Sequence, residues 1–170
     1  MLLQGPKQVR RCNAIRERNY SMTIRPDLLV RRQDGKPVAV IEIKNSLNLS
    51  PDVATEMRRN LLHYGLQPNA PYFLLLSQDT GFLWNGVDED SAEAQPKYEF
   101  PMDTIVARYL RTPNSNMRLH GPQLELLVLQ WLLDLTNGSQ QTADEPEKSL
   151  ALSGLLDSIK GANIELEPRI

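Results

Sequence analysis

A chain of 170 residues, 41% of them apolar, has material for one substantial hydrophobic core and an appendage, not for two full domains. Its single Cys12 excludes an internal disulfide, and His63 and His120 are too few and too far apart for a zinc finger. No apolar run is long enough for a secretory leader or a membrane span, so a soluble protein of a reducing cytoplasm is expected.

Net charge is −2, with a division inside it: up to Asn60 there are twelve Lys and Arg against six Asp and Glu, and beyond it seven against fifteen. Residues 2 to 18 set Leu2, Leu3, Val9 and Ile15 among arginines in a weak helical pattern. From Tyr20 the texture changes. Thr23 to Arg32 and Pro37 to Lys44 are β-rich runs flanking Asp34-Gly35, which predicts a hairpin. Ser50, Pro51 and Asp52 predict a helix start, because the hydroxyl caps free amides, Pro suits the first turn and the acid meets the positive helix end. Val53, Met57, Leu61 and Tyr64 then recur at helical spacing until Gly65 and Pro68.

Tyr72 to Leu76 is a short continuous apolar run of the kind buried on both faces of a sheet, and Asp79-Thr80-Gly81 turns it toward Phe82-Leu83-Trp84. Strand, helix and strand in this order predict an α/β fold, a central mixed sheet flanked by helices. Residues 87 to 97 are polar and acidic and predict a surface loop. Met102 to Leu110 and Pro122 to Leu135 predict helices. The second is apolar nearly all round, so it is expected to be buried on more than one side and is suited to a homodimer interface. Residues 137 to 148 predict a linker, and Leu150 to Ile159 a short last helix. The expected division is a core over 1–112 and a helical C-terminal extension over 113–170.

The hairpin carries a geometric consequence. With its loop centred on Asp34-Gly35, Asp27 faces Glu42 directly. Cross-strand partners share a face with Cβ atoms roughly 5 Å apart, and two like charges so placed are destabilising unless something cationic lies between them. Period-two alternation puts Lys44 on that face, with Arg25 opposite it and Val38 and Val40 alongside, while Ile41 and Ile43 point away. Two converging carboxylates are hard oxygen ligands suited to Mg²⁺ or Mn²⁺, which keep several waters and accept phosphate oxygens. The Lys44 ammonium is placed to orient an attacking water or to offset charge building on a phosphorane.

At Pro26-Asp27 and, across the hairpin, Glu42-Ile43-Lys44, the chain resembles the PD-(D/E)XK nuclease superfamily, and is closest in flavour to nuclease domains of type I restriction enzymes. The resemblance covers about residues 20 to 87. It implies a restriction endonuclease-like fold and Mg²⁺- or Mn²⁺-dependent hydrolysis of DNA phosphodiesters, in restriction, repair or mobile-element functions. It further implies that Asp27 and Glu42 bind the metal with help from the backbone carbonyl of Ile43, and that Lys44 is base or stabiliser. Several branches add a helix bearing Gln-x-x-x-Tyr; here Asn60 and Tyr64 stand in that pattern, with Asn departing from Gln. Many members also carry an acid on a first helix, for which Glu17 is the candidate.

The clustered Arg10, Arg11, Arg16, Arg18, Arg25, Arg31, Arg32, Arg58 and Arg59 suit phosphates, and Arg25, Arg58 and Arg59 lie nearest the expected site. The plainer reading is a solvated basic face paired with the acidic part of the same chain. A tyrosine such as Tyr64 is most often a core aromatic with its hydroxyl satisfied, and His63 and His120 are expected as surface or hydrogen-bonded residues rather than catalytic ones. No Gly-x-x-x-x-Gly-Lys-Ser/Thr motif and no DNA-reading module is present, so motor and specificity functions would belong to a separate subunit. The alternative to an enzyme is a catalytically silent protein of the same fold, acting as a nucleic-acid-binding or assembly subunit.

Overall fold

A computed structural model describes residues 24–85, 92–110, 118–138 and 141–167. The helical pattern of residues 2 to 18, including Glu17, lies outside them. Strands β1 (Leu28–Arg31) and β2 (Pro37–Ile43) form the expected antiparallel hairpin. At its turn Arg32 N donates to Lys36 O and Gly35 N to Arg32 O, both at 2.9 Å. Gly35 sits there at φ 86°, a left-handed conformation that costs glycine little. Arg31 faces Pro37, and a bulge then absorbs one residue, so that Val30 faces Ala39, Leu29 faces Val40 and Leu28 faces Ile41. The expected pairing is therefore off by one beside the turn and correct at the far end. The same bulge sends Val38 to the Ala39 and Ile41 face, away from Val40, which corrects the expectation that the two valines share a side.

Helix α1 (Pro51–His63) begins as its sequence predicts, with Ser50 Oγ accepting from Val53 N at 3.2 Å. It carries the chain to β3 (Tyr72–Leu76), parallel to β2, and β4 (Thr80–Asn85) returns antiparallel. Two strands were not legible. β5 (Tyr98–Pro101) pairs with β4, and β6 (Asn163–Leu166) pairs with the free side of β1. The sheet runs β5-β4-β3-β2-β1-β6 with only β2 and β3 parallel. Each missed strand has four residues; Phe100 alone is buried in β5, and Ile164 alone is half-buried in β6, too little to display a period of two.

Side-chain alternation divides the apolar residues between two layers. Leu29, Val40, Phe73, Leu75, Phe82 and Trp84 meet Ala54, Met57 and Leu61 of α1 on one face. Trp84 is packed, as expected, edge-on to Phe73 at 5.5 Å. The other face is covered by α2 (Asp103–Leu110), α3 (Gly121–Thr136), α4 (Glu147–Leu152) and α5 (Leu155–Ile159). The single last helix expected over Leu150 to Ile159 is two, divided at Gly154 with φ 87°. Within α3, Leu124, Leu127, Val128, Trp131, Leu132 and Leu135 are buried against the sheet and α5, while Leu126 and Leu133 face outward. Residues beyond 112 thus supply, together with α2, one of the two apolar layers, and they supply an edge of the sheet, rather than an extension of a finished core. No helix among the described residues is long and apolar enough to cross a membrane.

Candidate metal centre

The site forms where the hairpin ladder stops. Pro26 has no N–H to extend the pairing, and Ile24 turns aside to bridge Leu66, with Gln67 N donating to Ile24 O at 2.9 Å. Asp27 closes the open end. Its Oδ2 accepts from Ile43 N at 2.8 Å, and its own N–H donates to Glu42 Oε1 at 3.3 Å. Each carboxylate therefore grips the backbone of the other's strand, and the two acids meet on the face that Val40 and Leu29 share with α1. Lys44 joins them from the end of β2, its Nζ 3.5 Å from Glu42 Oε2. The three residues expected to share one face are brought together.

Their environments differ. Glu42 is 4% exposed, Asp27 is half-buried and the Lys44 side chain is one-third exposed at 32%. Burial, and then the facing Asp27 charge, push the Glu42 carboxyl up to about 7, against the pull of the Lys44 ammonium and the Asp27 amide. One ammonium thus serves two carboxylates, one of them almost out of water. A divalent cation placed between them would relieve that repulsion. Oxygen donors of this kind suit Mg²⁺ or Mn²⁺. No group of three or more His, Cys, Asp or Glu side chains suited to a metal occurs among the described residues. Two carboxylates would hold the ion, leaving its other positions to water, backbone or phosphate oxygen. Ile43 presents its amide to Asp27, and its expected carbonyl ligand lies in the same peptide run between Glu42 and Lys44.

The remaining expected residues are placed otherwise. Arg25 leaves the ladder at Pro26 instead of facing Lys44, and lines a 300 Å³ groove with Gln67, Glu165 and Glu167. Arg58 is 7% exposed, its guanidinium 5.4 Å from the Trp84 ring centre and 5.6 Å from that of Phe73. It packs beneath α1 and does not form part of a solvated face. Arg59 pairs with Glu93 at 3.1 Å, in keeping with the plainer reading that basic and acidic parts meet. Asn60 is exposed and lines a shallow cleft with Arg59, His63 and Glu93. Tyr64 is 66% exposed, which corrects its reading as a core aromatic; it touches His63 edge-on at 5.3 Å. Neither is in contact with Asp27, Glu42 or Lys44 among the described hydrogen bonds and ion pairs. His63 and His120 are surface residues.

Two neighbours of the site went unread in the sequence. Glu167 N donates to Asp27 O at 3.2 Å, continuing the β6 register so that Glu167 lies across from Asp27. Arg118 Nη2 donates to Asn45 O at 3.2 Å, one residue beyond Lys44. No motif or period marks either position. No family model matches the chain, and neither a curated protein nor a solved structure does.

Proposed function

We propose that the chain is a metal-dependent nuclease hydrolysing DNA phosphodiester bonds at Asp27, Glu42 and Lys44. The observation that supports it is the meeting of two acids at the end of one hairpin, one of them buried with its carboxyl pushed up to about 7, beside the Lys44 ammonium. Resemblance to the PD-(D/E)XK pattern at these positions points the same way. Asp27 and Glu42 would hold Mg²⁺ or Mn²⁺, and the bound ion supplies Lewis acidity toward a phosphoryl oxygen and an acidified water. Asp27, tied to the Ile43 amide, keeps its carboxylate facing Glu42. Lys44, exposed enough to reach solvent, carries the charge or proton that the reacting water and the developing phosphorane require.

Plasmid nicking with Mg²⁺ or Mn²⁺ tests this. Asp27→Asn, which retains an acceptor for the Ile43 amide, and Lys44→Ala are each expected to lower nicking by at least about 100-fold while circular dichroism stays unchanged. Nicking that persists undiminished in both folded variants would remove these residues from the chemistry.

A second reading keeps the fold without turnover, as a nucleic-acid-binding or assembly subunit. It is favoured by the exposed positions of Asn60 and Tyr64, away from the acids. Under it, DNA binds at low salt, no metal produces nicks, and motor or specificity functions reside in a partner subunit.

A further inference from the structure

We infer that Arg118 is a phosphate-binding residue of this site, and that nucleic acid leaves the site past Asn45 toward the start of α3, not over β6. The inference rests on the nuclease reading of Asp27, Glu42 and Lys44, and concerns which side of that site the polyanion occupies.

The charges flanking the site are unequal. On the β6 side, Glu167 is the cross-strand neighbour of Asp27 and Glu165 that of Leu29, so both project from the face that carries the metal-binding pair. Both glutamates are exposed. Of the cations on that flank, Arg31 pairs with Glu165 at 3.0 Å, and Arg25 lines a groove that both glutamates also line. A phosphate chain crossing β6 would meet Glu167, whose Cβ as a cross-strand neighbour lies roughly 5 Å from that of Asp27, and Glu165 one diagonal step farther.

The opposite flank differs. Arg118 precedes Leu119, which is 1% exposed in the core and whose N–H donates to Gln78 Oε1 at 2.8 Å. The backbone under Arg118 is therefore anchored, although the side chain is exposed. Its guanidinium spends one N–H on a neutral acceptor, Asn45 O, and no ion pair engages it among the described residues. A guanidinium has five donors in a rigid fork suited to phosphate. Arg118 thus keeps most of its donors and its whole charge, and its one bond falls on Asn45, the residue after Lys44. Arg31, Arg32, Arg59 and Arg108, by contrast, each face a carboxylate.

The test is DNA binding by the Asp27→Asn chain, followed by fluorescence anisotropy of a short labelled duplex and the matching single strand over a series of salt concentrations. Arg118→Ala is expected to weaken binding about five- to tenfold near 0.1 M salt and to lower the slope of log affinity against log salt by about one. Arg118→Lys should recover most of the slope, and Glu167→Gln should tighten binding about twofold by removing a like charge. In the nicking chain, Arg118→Ala should raise KM and leave kcat within about twofold, as for loss of uniform binding. If the Asp27→Asn chain binds DNA and Arg118→Ala changes neither affinity nor slope, the inference fails and the nuclease reading stands. Weaker binding by Glu167→Gln would overturn the assigned direction. Absence of DNA binding even at low salt would end both.

Discussion

Glu42 holds the clearest energetic consequence of the site. An acid whose folded-state value rises from 4.5 to about 7 is easier to protonate in the folded chain than in the unfolded one. Its contribution to stability is greatest below pH 4.5, falls as pH rises through the interval to about 7, and is then constant. The difference amounts to roughly 3 kcal/mol of destabilisation at pH 8. Glu42→Gln keeps an acceptor for the Asp27 amide and removes the buried charge. Urea unfolding should find that variant more stable than the parent by about 2–3 kcal/mol at pH 8 and nearly equal to it at pH 4. Mn²⁺ should narrow the gap at pH 8 by neutralising the same charge in the parent. Equal stabilities at both pH values would show that Glu42 carries no buried charge.

At the scale of elements, what was legible was local. The Asp34-Gly35 turn, the Ser50 cap and the pairing of Asp27 with Glu42 depend on residues at most sixteen apart, as the Asp27 to Ile43 bond shows. Backbone preference and a period of two are enough to place them. The bulge at Val38 was not legible, because a second offset at the turn cancels it before the site is reached. The two edge strands were missed for a different reason. Each becomes a strand only because an existing edge offers it hydrogen bonds, β4 to β5 and β1 to β6.

Gly81 shows how closely the added edge fits. A Cβ there would lie 2.1 Å from the Phe100 ring, its partner in register on β5. Gly81→Ala is expected to cost about 1–3 kcal/mol through forced displacement of a core ring. Phe100→Leu added to it should return part of the loss in a double-mutant cycle read by denaturant unfolding. Full additivity would mean that the ring and the glycine do not interact.

Across the whole molecule, the boundary expected near residue 112 does not coincide with a boundary in packing. Trp131, Leu132, Leu135, Leu150, Leu155 and Ile159 are fully buried in the same apolar cluster as Leu28, Ile41, Leu74 and Leu83. A fragment of residues 1–112 would keep only α2 over that face, expose the rest of it to water and leave β1 with an open edge. It is expected to lack cooperative unfolding and dispersed amide signals in solution, whereas the full chain should show both. A well-dispersed, cooperatively unfolding fragment would establish the shorter unit as a domain.

The arrangement of Asp27, Glu42 and Lys44 could be read from the chain because one turn and one alternation carry it, and neither needs a distant partner. Burial of Glu42, the particular carboxylates that Arg31, Arg59 and Arg108 meet and the exposure of Arg118 could not. They depend on chain segments that meet only after folding, such as Arg118 with Asn45 across 73 positions. A charge has its effect through the water and the counter-charges around it, and those neighbours are assembled by packing, not by sequence order.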